Sequence, residues 1–200
     1  MMNNSKENEK SAFTLEWTIG MNPNVPLLNL SVAGKTRYFY VVANVGIIGT
    51  GSGKAQKLLQ GHVSNIISAS VSQDKQWLVT VESKPNIFLI VWNTFTVEPV
   101  KFLEQSHETG VVRVLISRDG KLISLLTQEP QQKVILWRWS NPDVTPMIYS
   151  IIPMHCPSQT WFTMIDDRSY LCTVGRDSLI FFGMFHRTYF VSSFIHSFTG

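Results

Sequence analysis

The sequence predicts an all-β protein, and three observations carry that prediction. Apolar residues come in short runs rich in Val, Ile, Phe and Thr, turn-formers separate the runs, and no window of a dozen residues sustains helical spacing. The runs also recur at a fixed interval. Trp92 closes "FLIVW", Trp137 closes "KVILW" 45 residues later, and a further 45 residues reaches Phe182 at the end of "SLIFF". His62 of "QGH" and His107 of "QSH" keep the same interval, as do Asp74 in "SQDKQW" and Asp119 in "SRDGKL". Asp166-Asp167 in "IDDRSY" repeats that turn about 47 residues on. A period of about 40–45 residues holding four short strands is that of a propeller blade, a small twisted sheet stacked on copies of itself.

Taken in order, residues 1–12 are polar and charged and read as a flexible leader. Residues 13–60 hold a lead-in segment and a degenerate first blade, with Arg37–Ala43 and Val45–Ile48 as its clearest strands. Within it, "SGKAQKLLQ" has the composition for one helical turn and not much more. The second blade, 61–105, has strands at Ile66–Val71, Trp77–Val81, Phe88–Trp92 and Val100–Leu103. The third, 106–153, has Val111–Ile116, Leu122–Thr127, Val134–Trp137 and Met147–Ile152. A partial fourth, 154–184, has Thr160–Ile165, Tyr170–Val174 and Leu179–Phe182, and 185–200 reads as a divergent tail. The expectation is an incomplete β-propeller of about three and a half blades. A seven-bladed ring would take roughly 300 residues at this period, so a fragment of a longer scaffold is expected. An open arc of blades exposes an apolar face and a sheet edge.

Composition narrows the function classes. Hydrophobic residues are 44% of the 200 and charged residues 16%, enough apolar material to bury a core. The net charge of +3 comes from scattered basic residues, which argues against nucleic acid as the principal partner. Cys156 and Cys172 form neither a C-x-x-C unit nor a disulfide framework, so a reduced, intracellular compartment is expected. The first residues lack the apolar core of a secretory signal, and "LIFFGMF" at 179–185 is too short to span a bilayer, so no membrane association is expected.

Candidate chemistry is weak throughout. "GTGSGK" at 49–54 invites a phosphate-loop reading. Such a loop needs a glycine where Ile48 stands and a hydroxyl residue where Ala55 stands, and a long helix should follow. A turn between the last two strands of a blade is the simpler reading. His155-Cys156 and Cys172 match no zinc spacing. Ser117, Asp119 and His107 could be assembled into a triad, yet Asp119 lies in an "RDG" hairpin turn that accounts for it. No catalytic residue, metal or cofactor is expected.

The repeat units resemble WD repeats, in which a tryptophan N–H is tied through a Ser or Thr hydroxyl to the histidine of a Gly-His pair and a turn Asp completes the network. Gly61-His62, Thr80 and Trp92 match three of those positions, and Asn86 lies near the Asp position. The usual closing Trp-Asp reads Trp92-Asn93 and Trp137-Arg138, and Ser106 replaces the glycine before His107, so incomplete networks are expected. His62, Thr80, Trp92, His107, Trp137 and Phe182 are the structural repeat positions.

Three stretches are more particular: "LEWTIGMNPNVPLLNL" (15–30), "LLQGHVSNIIS" (58–68) and "FLIVWNTFTVEPV" (88–100). They resemble the family of cilia- and flagella-associated protein 251, a WD-repeat component of the calmodulin- and spoke-associated complex of motile axonemes. The resemblance runs from about Leu15 to Phe182 and is strongest at Glu16, Trp17, Gly20, Met21, Asn22 and Pro23. It implies a non-enzymatic scaffold near the radial-spoke base, in the axoneme and cytoskeleton of a cilium or flagellum, with axonemal proteins as partners. It supplies no catalytic residue, and no D-x-[DN]-x-[DN]-G calcium loop occurs here. Contact loops are expected at "NTFTVEP" (93–99) and "SNPDVTP" (140–146). Two other readings stand beside it: a microtubule-associated or ubiquitin-pathway WD adaptor, and a nucleotide-binding protein using "GTGSGK".

Overall fold

A computed structural model describes residues 14–53, 55–82, 87–105, 110–128, 130, 132–142, 148–151, 159–166, 170–175, 178–185 and 189–196. They form four antiparallel four-stranded sheets, each built from strands consecutive in sequence. The first contains β1 (Leu28–Asn29), β2 (Arg37–Val42), β3 (Val45–Thr50) and β4 (Gln56–Leu59); the second contains β5 (Ile66–Val71), β6 (Trp77–Glu82), β7 (Ile87–Asn93) and β8 (Glu98–Gln105). The third contains β9 (Val111–Ile116), β10 (Leu122–Thr127), β11 (Lys133–Arg138) and β12 (Ile148–Ile151); the fourth contains β13 (Gln159–Asp166), β14 (Tyr170–Gly175), β15 (Ser178–Phe185) and β16 (Tyr189–His196).

Several of the inner strands are buried on both faces. Every residue of β10 is buried, as are all but the first of β6 and all but the last of β3. A strand buried on both faces must send alternate side chains into two separate apolar layers, and the second sheet does so. Leu78, Ile90 and Trp92 join Phe39, Val41, Ile48 and Leu59 of the first sheet in one layer. Val79, Val81, Leu89 and Val91 join Val114, Ile123, Leu125, Ile135 and Trp137 of the third in another. The same register recurs: Leu78 pairs with Trp92, Ile123 with Trp137, and Leu171 with Phe182.

The sheets are also tied edge to edge. On edge strand β9, the Val114 and Ile116 N–H groups donate to the hydroxyls of Ser68 and Ser70 on β5, at 3.1 and 3.2 Å. Two serines on one face of a strand thus serve a neighbouring edge that would otherwise carry unpaired donors.

The recurring turn is a single device used twice. Ser72 Oγ donates to Asp74 Oδ1 at 2.5 Å and accepts the Trp77 N–H at 3.0 Å; Ser117 Oγ donates to Asp119 Oδ1 at 2.7 Å and accepts the Leu122 N–H at 2.9 Å. Burial alone would raise the Asp119 carboxyl, but hydrogen bonds from Ser117 and Lys121 outweigh it and hold the group below its ordinary value. The two turns touch: the Gln73 N–H donates to the Arg118 carbonyl at 3.0 Å, and Arg118 Nε–H returns to Gln73 Oε1 at 3.1 Å. The left-handed position is Lys75 (φ 62°) in one turn and Gly120 (φ 73°) in the other. A Cβ on Gly120 would sit 2.6 Å from Cδ1 of Trp77, whose ring meets Trp139 with centroids 5.0 Å apart. Trp139 Nε1–H donates to the Gly120 carbonyl at 2.6 Å, so this turn is clamped between two indoles.

Two expectations are corrected. The segment read as one helical turn contains β4, whose Leu58 and Leu59 pair with Ile47 and Gly46 of β3. Its Gln, Lys and Leu have good helix propensity, but the ladder and the burial of Leu59 override it. The stretch 185–200, read as a divergent tail, contains β16, which pairs with β15 along its whole length, from Phe185↔Tyr189 to Ser178↔His196. Strand β8 also starts earlier than read, at Glu98.

The turn geometry makes a pair of opposite predictions for urea unfolding. Gly120→Ala should destabilise the protein by about 2–4 kcal/mol, from backbone strain plus the clash with Trp77. Lys75→Gly should stabilise it by about 0.5 kcal/mol, relief of strain exceeding the entropy cost of glycine.

Candidate functional site

The densest polar cluster is buried between the first two sheets. Period-two alternation puts Thr80 and Glu82 of β6 on the face that points at the first sheet, beside Trp92 of β7. Gly61-His62 enters from the segment joining β4 to β5. A Cβ at Gly61 would lie 3.0 Å from Ile90 Cδ1, a tight contact, and 3.4 Å from Trp92 Cη2, so a larger residue here would press on the end of the Ile90 side chain.

Thr80 Oγ1 is the junction. It accepts the Trp92 Nε1–H at 2.8 Å and lies 2.7 Å from His62 Nε2, against 3.5 Å from the Ile90 carbonyl. Its single proton therefore goes to His62 Nε2, which leaves the ring hydrogen on Nδ1. That hydrogen is donated to Glu82 Oε2 at 3.1 Å. The same carboxylate oxygen accepts the N–H groups of Val63 and Ser64, at 2.8 and 3.1 Å. Burial pushes His62 below its ordinary value of 6.5, more strongly than the Glu82 carboxylate pulls it up, so the imidazole is neutral near pH 7. Every donor runs one way, from indole to hydroxyl to imidazole to carboxylate.

Around this chain, the first sheet is stitched to the second. Asn44 Nδ2–H donates to the His62 carbonyl at 2.9 Å, and the Ile66 N–H donates to the Ala43 carbonyl at 2.9 Å. Asn22, part of "GMNP", donates its backbone N–H to the Val41 carbonyl at 2.7 Å and its side-chain amide to the Ile66 carbonyl at 3.2 Å.

Thus the structure brings His62, Thr80 and Trp92 into one hydrogen-bonded unit. His107 and Asn86 lie outside the described residues. Trp137 stands in the register of Trp92, but Leu125 occupies the place of Thr80 and Thr127 that of Glu82. The Thr127 hydroxyl instead accepts the Lys133 N–H at 2.8 Å, across the β10–β11 turn. For Phe182 the backbone register is described, and its side chain lies outside the described ones. Sequence reasoning missed Glu82. It looked for an acid in a turn, whereas the acid lies on the strand two residues after Thr80, on the same face, a period-two signal that was there to be read.

Other candidate chemistry resolves into local structure. "GTGSGK" ends β3 and turns directly into β4: the Gly53 N–H donates to the Thr50 carbonyl at 2.9 Å and the Gly51 N–H to the Thr36 carbonyl at 3.0 Å. Those N–H groups are committed within the protein, and Lys54 lies outside the described residues. Ser117 and Asp119 form the turn described above. His155, Cys156 and Asp167 also lie outside the described residues, and among the described residues no three His, Cys, Asp or Glu side chains cluster as metal ligands.

Residues 13–197 match the CFAP251 N-terminal domain family. The chain is similar to cilia- and flagella-associated protein 251 of Tetrahymena thermophila, 28% identical over 180 residues covering 86% of this chain and 18% of that protein. It is also similar to the protein of that name from Chlamydomonas reinhardtii, 30% identical over 135 residues, 64% of this chain and 17% of the other. With the Mus musculus protein it shares 28% identity over 145 residues, 70% of this chain and 11% of the other. It thus spans less than a fifth of the length of these relatives. Among solved structures, Kuenenia stuttgartiensis hydrazine synthase shares the fold alone, with a TM-score of 0.59 and 13% identity over 74% of this chain and 49% of that one.

The junction makes two predictions. Thr80→Val keeps the shape but leaves the Trp92 N–H and His62 Nε2 buried without partners, and should cost about 2–3 kcal/mol in urea unfolding, with Thr80→Ser costing less. Because the folded protein resists protonating His62, the unfolded chain takes up the proton first. Stability should therefore fall as pH drops from about 6.5 towards the depressed folded value, with a slope of at most about 1.4 kcal/mol per pH unit from this group. His62→Gln should flatten that part of the stability profile.

Proposed function

Because the chain belongs to the CFAP251 N-terminal domain family, we propose that it is a non-enzymatic WD-repeat scaffold of the motile cilium or flagellum. In this reading the four sheets are consecutive blades of a partial β-propeller, and the assembly works near the radial-spoke base, binding axonemal proteins through its rim. The observation that carries the reading is that the second and third sheets touch through residues about one repeat apart in sequence. Gln73 meets Arg118 45 residues on, and Ser68 and Ser70 meet Val114 and Ile116, each 46 residues on. Edge strands β5, β9 and β13 lie side by side in that order, the arrangement radial stacking requires. The His62 junction supports a structural role, since both ring nitrogens are spent on neighbours inside the fold. The relatives' names, cilia- and flagella-associated protein 251, support the cellular setting.

The reading predicts that the full chain, tagged and expressed in ciliated cells, stays with the axoneme after detergent extraction. Proximity biotinylation should then enrich radial-spoke components over soluble ciliary proteins. A chain washed out with the detergent-soluble fraction would contradict it, and enrichment of ubiquitin-pathway proteins instead would favour the adaptor reading.

A further inference from the structure

The apolar layer between the first and second sheets opens to solvent at one end, in a cleft of about 430 Å³. Its apolar lining is aliphatic and aromatic: Ile48 of β3, Val32, and Phe95 from the β7–β8 turn. Phe95 is 49% exposed, so a large ring is held half in water. Three cations surround these apolar groups: Lys35, Arg37 and Lys57.

Sheet register places them there. Lys57 is directly opposite Ile48 across the β3–β4 pair, and Arg37 lies two residues from the buried Phe39 on the same face of β2. Val32 and Lys35 bridge to each other across a tight turn. Arg37 is pinned: its guanidinium donates to the Thr94 carbonyl and lies over the Phe95 ring, 5.6 Å from the centroid. One donor is used there, and a guanidinium has five. Among the described residues, the ion pairs His62–Glu82 and Lys121–Asp119 lie elsewhere, and no described carboxylate neutralises this trio.

The geometry points to a docking site for an acidic peptide segment that carries an apolar side chain: the side chain fills the cleft between Ile48, Val32 and Phe95, and flanking carboxylates meet Lys35, Arg37 and Lys57. Charge complementarity selects an acidic partner. The size, at the low end of ligand pockets, suits one or two side chains. A single-stranded nucleic acid would need successive aromatic platforms along a basic groove, and among the described residues the lining offers Phe95 as its one aromatic. Phe95 belongs to "NTFTVEP", the loop singled out in the sequence as a contact candidate. This inference goes beyond the scaffold reading and does not depend on the cellular setting.

The test is fluorescence anisotropy with the full chain and a labelled peptide, Asp-Glu-Phe-Glu-Asp. Saturable binding is expected, weakened about tenfold by Ala in place of the peptide's Phe and by salt raised to roughly 0.5 M. A Lys-Lys-Phe-Lys-Lys peptide should not bind. Lys35→Glu combined with Lys57→Glu should weaken binding about tenfold, with circular dichroism and melting unchanged. Arg138→Glu, at the end of β11 on the third sheet, should change it less than about twofold, as a single reversal set against Lys57→Glu alone. Equal losses in Arg138→Glu and Lys57→Glu would overturn the site in favour of general charge attraction. Tighter binding of an oligothymidylate, or no saturable binding to a cooperatively folded wild-type chain, would overturn it as well. Binding that emerges only when Glu7 and Glu9 are replaced by Gln would assign the cleft to the chain's own leader and overturn the external partner.

Discussion

A four-stranded sheet with both faces apolar must bury them against neighbouring elements, and among the described residues those neighbours are other sheets. That constraint governs this chain. Residues of β6 and β7 divide between two layers in strict alternation, Leu78, Ile90 and Trp92 towards the first sheet and Val79, Leu89 and Val91 towards the third. The described core lies in two layers, one between the first and second sheets and one between the second and third, so these three depend on one another, as in repeat architectures generally. The fixed interval in sequence follows: to stack, each unit must present the same strands in the same register, and Leu78↔Trp92 and Ile123↔Trp137 are the trace of that demand.

Packing alone would leave two kinds of polar group stranded, and the protein answers each with a side-chain oxygen. Edge N–H groups of β9 are met by the Ser68 and Ser70 hydroxyls. The turn entering β5 is met by Glu82, which holds His62, Val63 and Ser64 together with one carboxylate oxygen. Both answers depend on alternation, because Ser68 and Ser70, like Thr80 and Glu82, are two residues apart on one strand. A one-residue slip in either strand would send these oxygens to the opposite face. Register and hydrogen bonding are therefore specified by the same fact.

Much of this was legible in sequence. Strands β5, β6, β9 and β10 lie where the apolar runs place them, within a residue at their ends, and the resemblance to WD repeats picked out the three residues that meet in the His62–Thr80–Trp92 junction. What was not legible has physical causes. In β4, Gln-Lys-Leu-Leu carries helix formers, and only the nearby ladder of β3 makes it a strand. In β16, the mixture of Ser, Phe and Tyr lacks the Trp and Gly-His landmarks of the other units, while its pairing with β15 runs over eight positions. Glu82 was passed over because the resemblance directed attention to a turn. The cleft beside Arg37 draws residues from the first two sheets, and linear spacing carries no trace of that meeting.

The third sheet shows which part of the repeat the fold can lose. Leu125 stands where Thr80 stands 45 residues earlier, paired with Val114 and Ile135 and fully buried. A hydroxyl and its hydrogen bonds have been exchanged for apolar volume. Exchanges of this kind are close to neutral when the partners of the lost group are also accommodated, whereas removing a large ring would open a cavity. Polar positions of the unit can thus drift while Trp92 and Trp137 stay in register, buried to within 1% and 3% exposure. In the second and third sheets the packing keeps the shape of the ring in both, and the hydrogen-bonded junction where, as at His62, the chain is also held to the sheet before it.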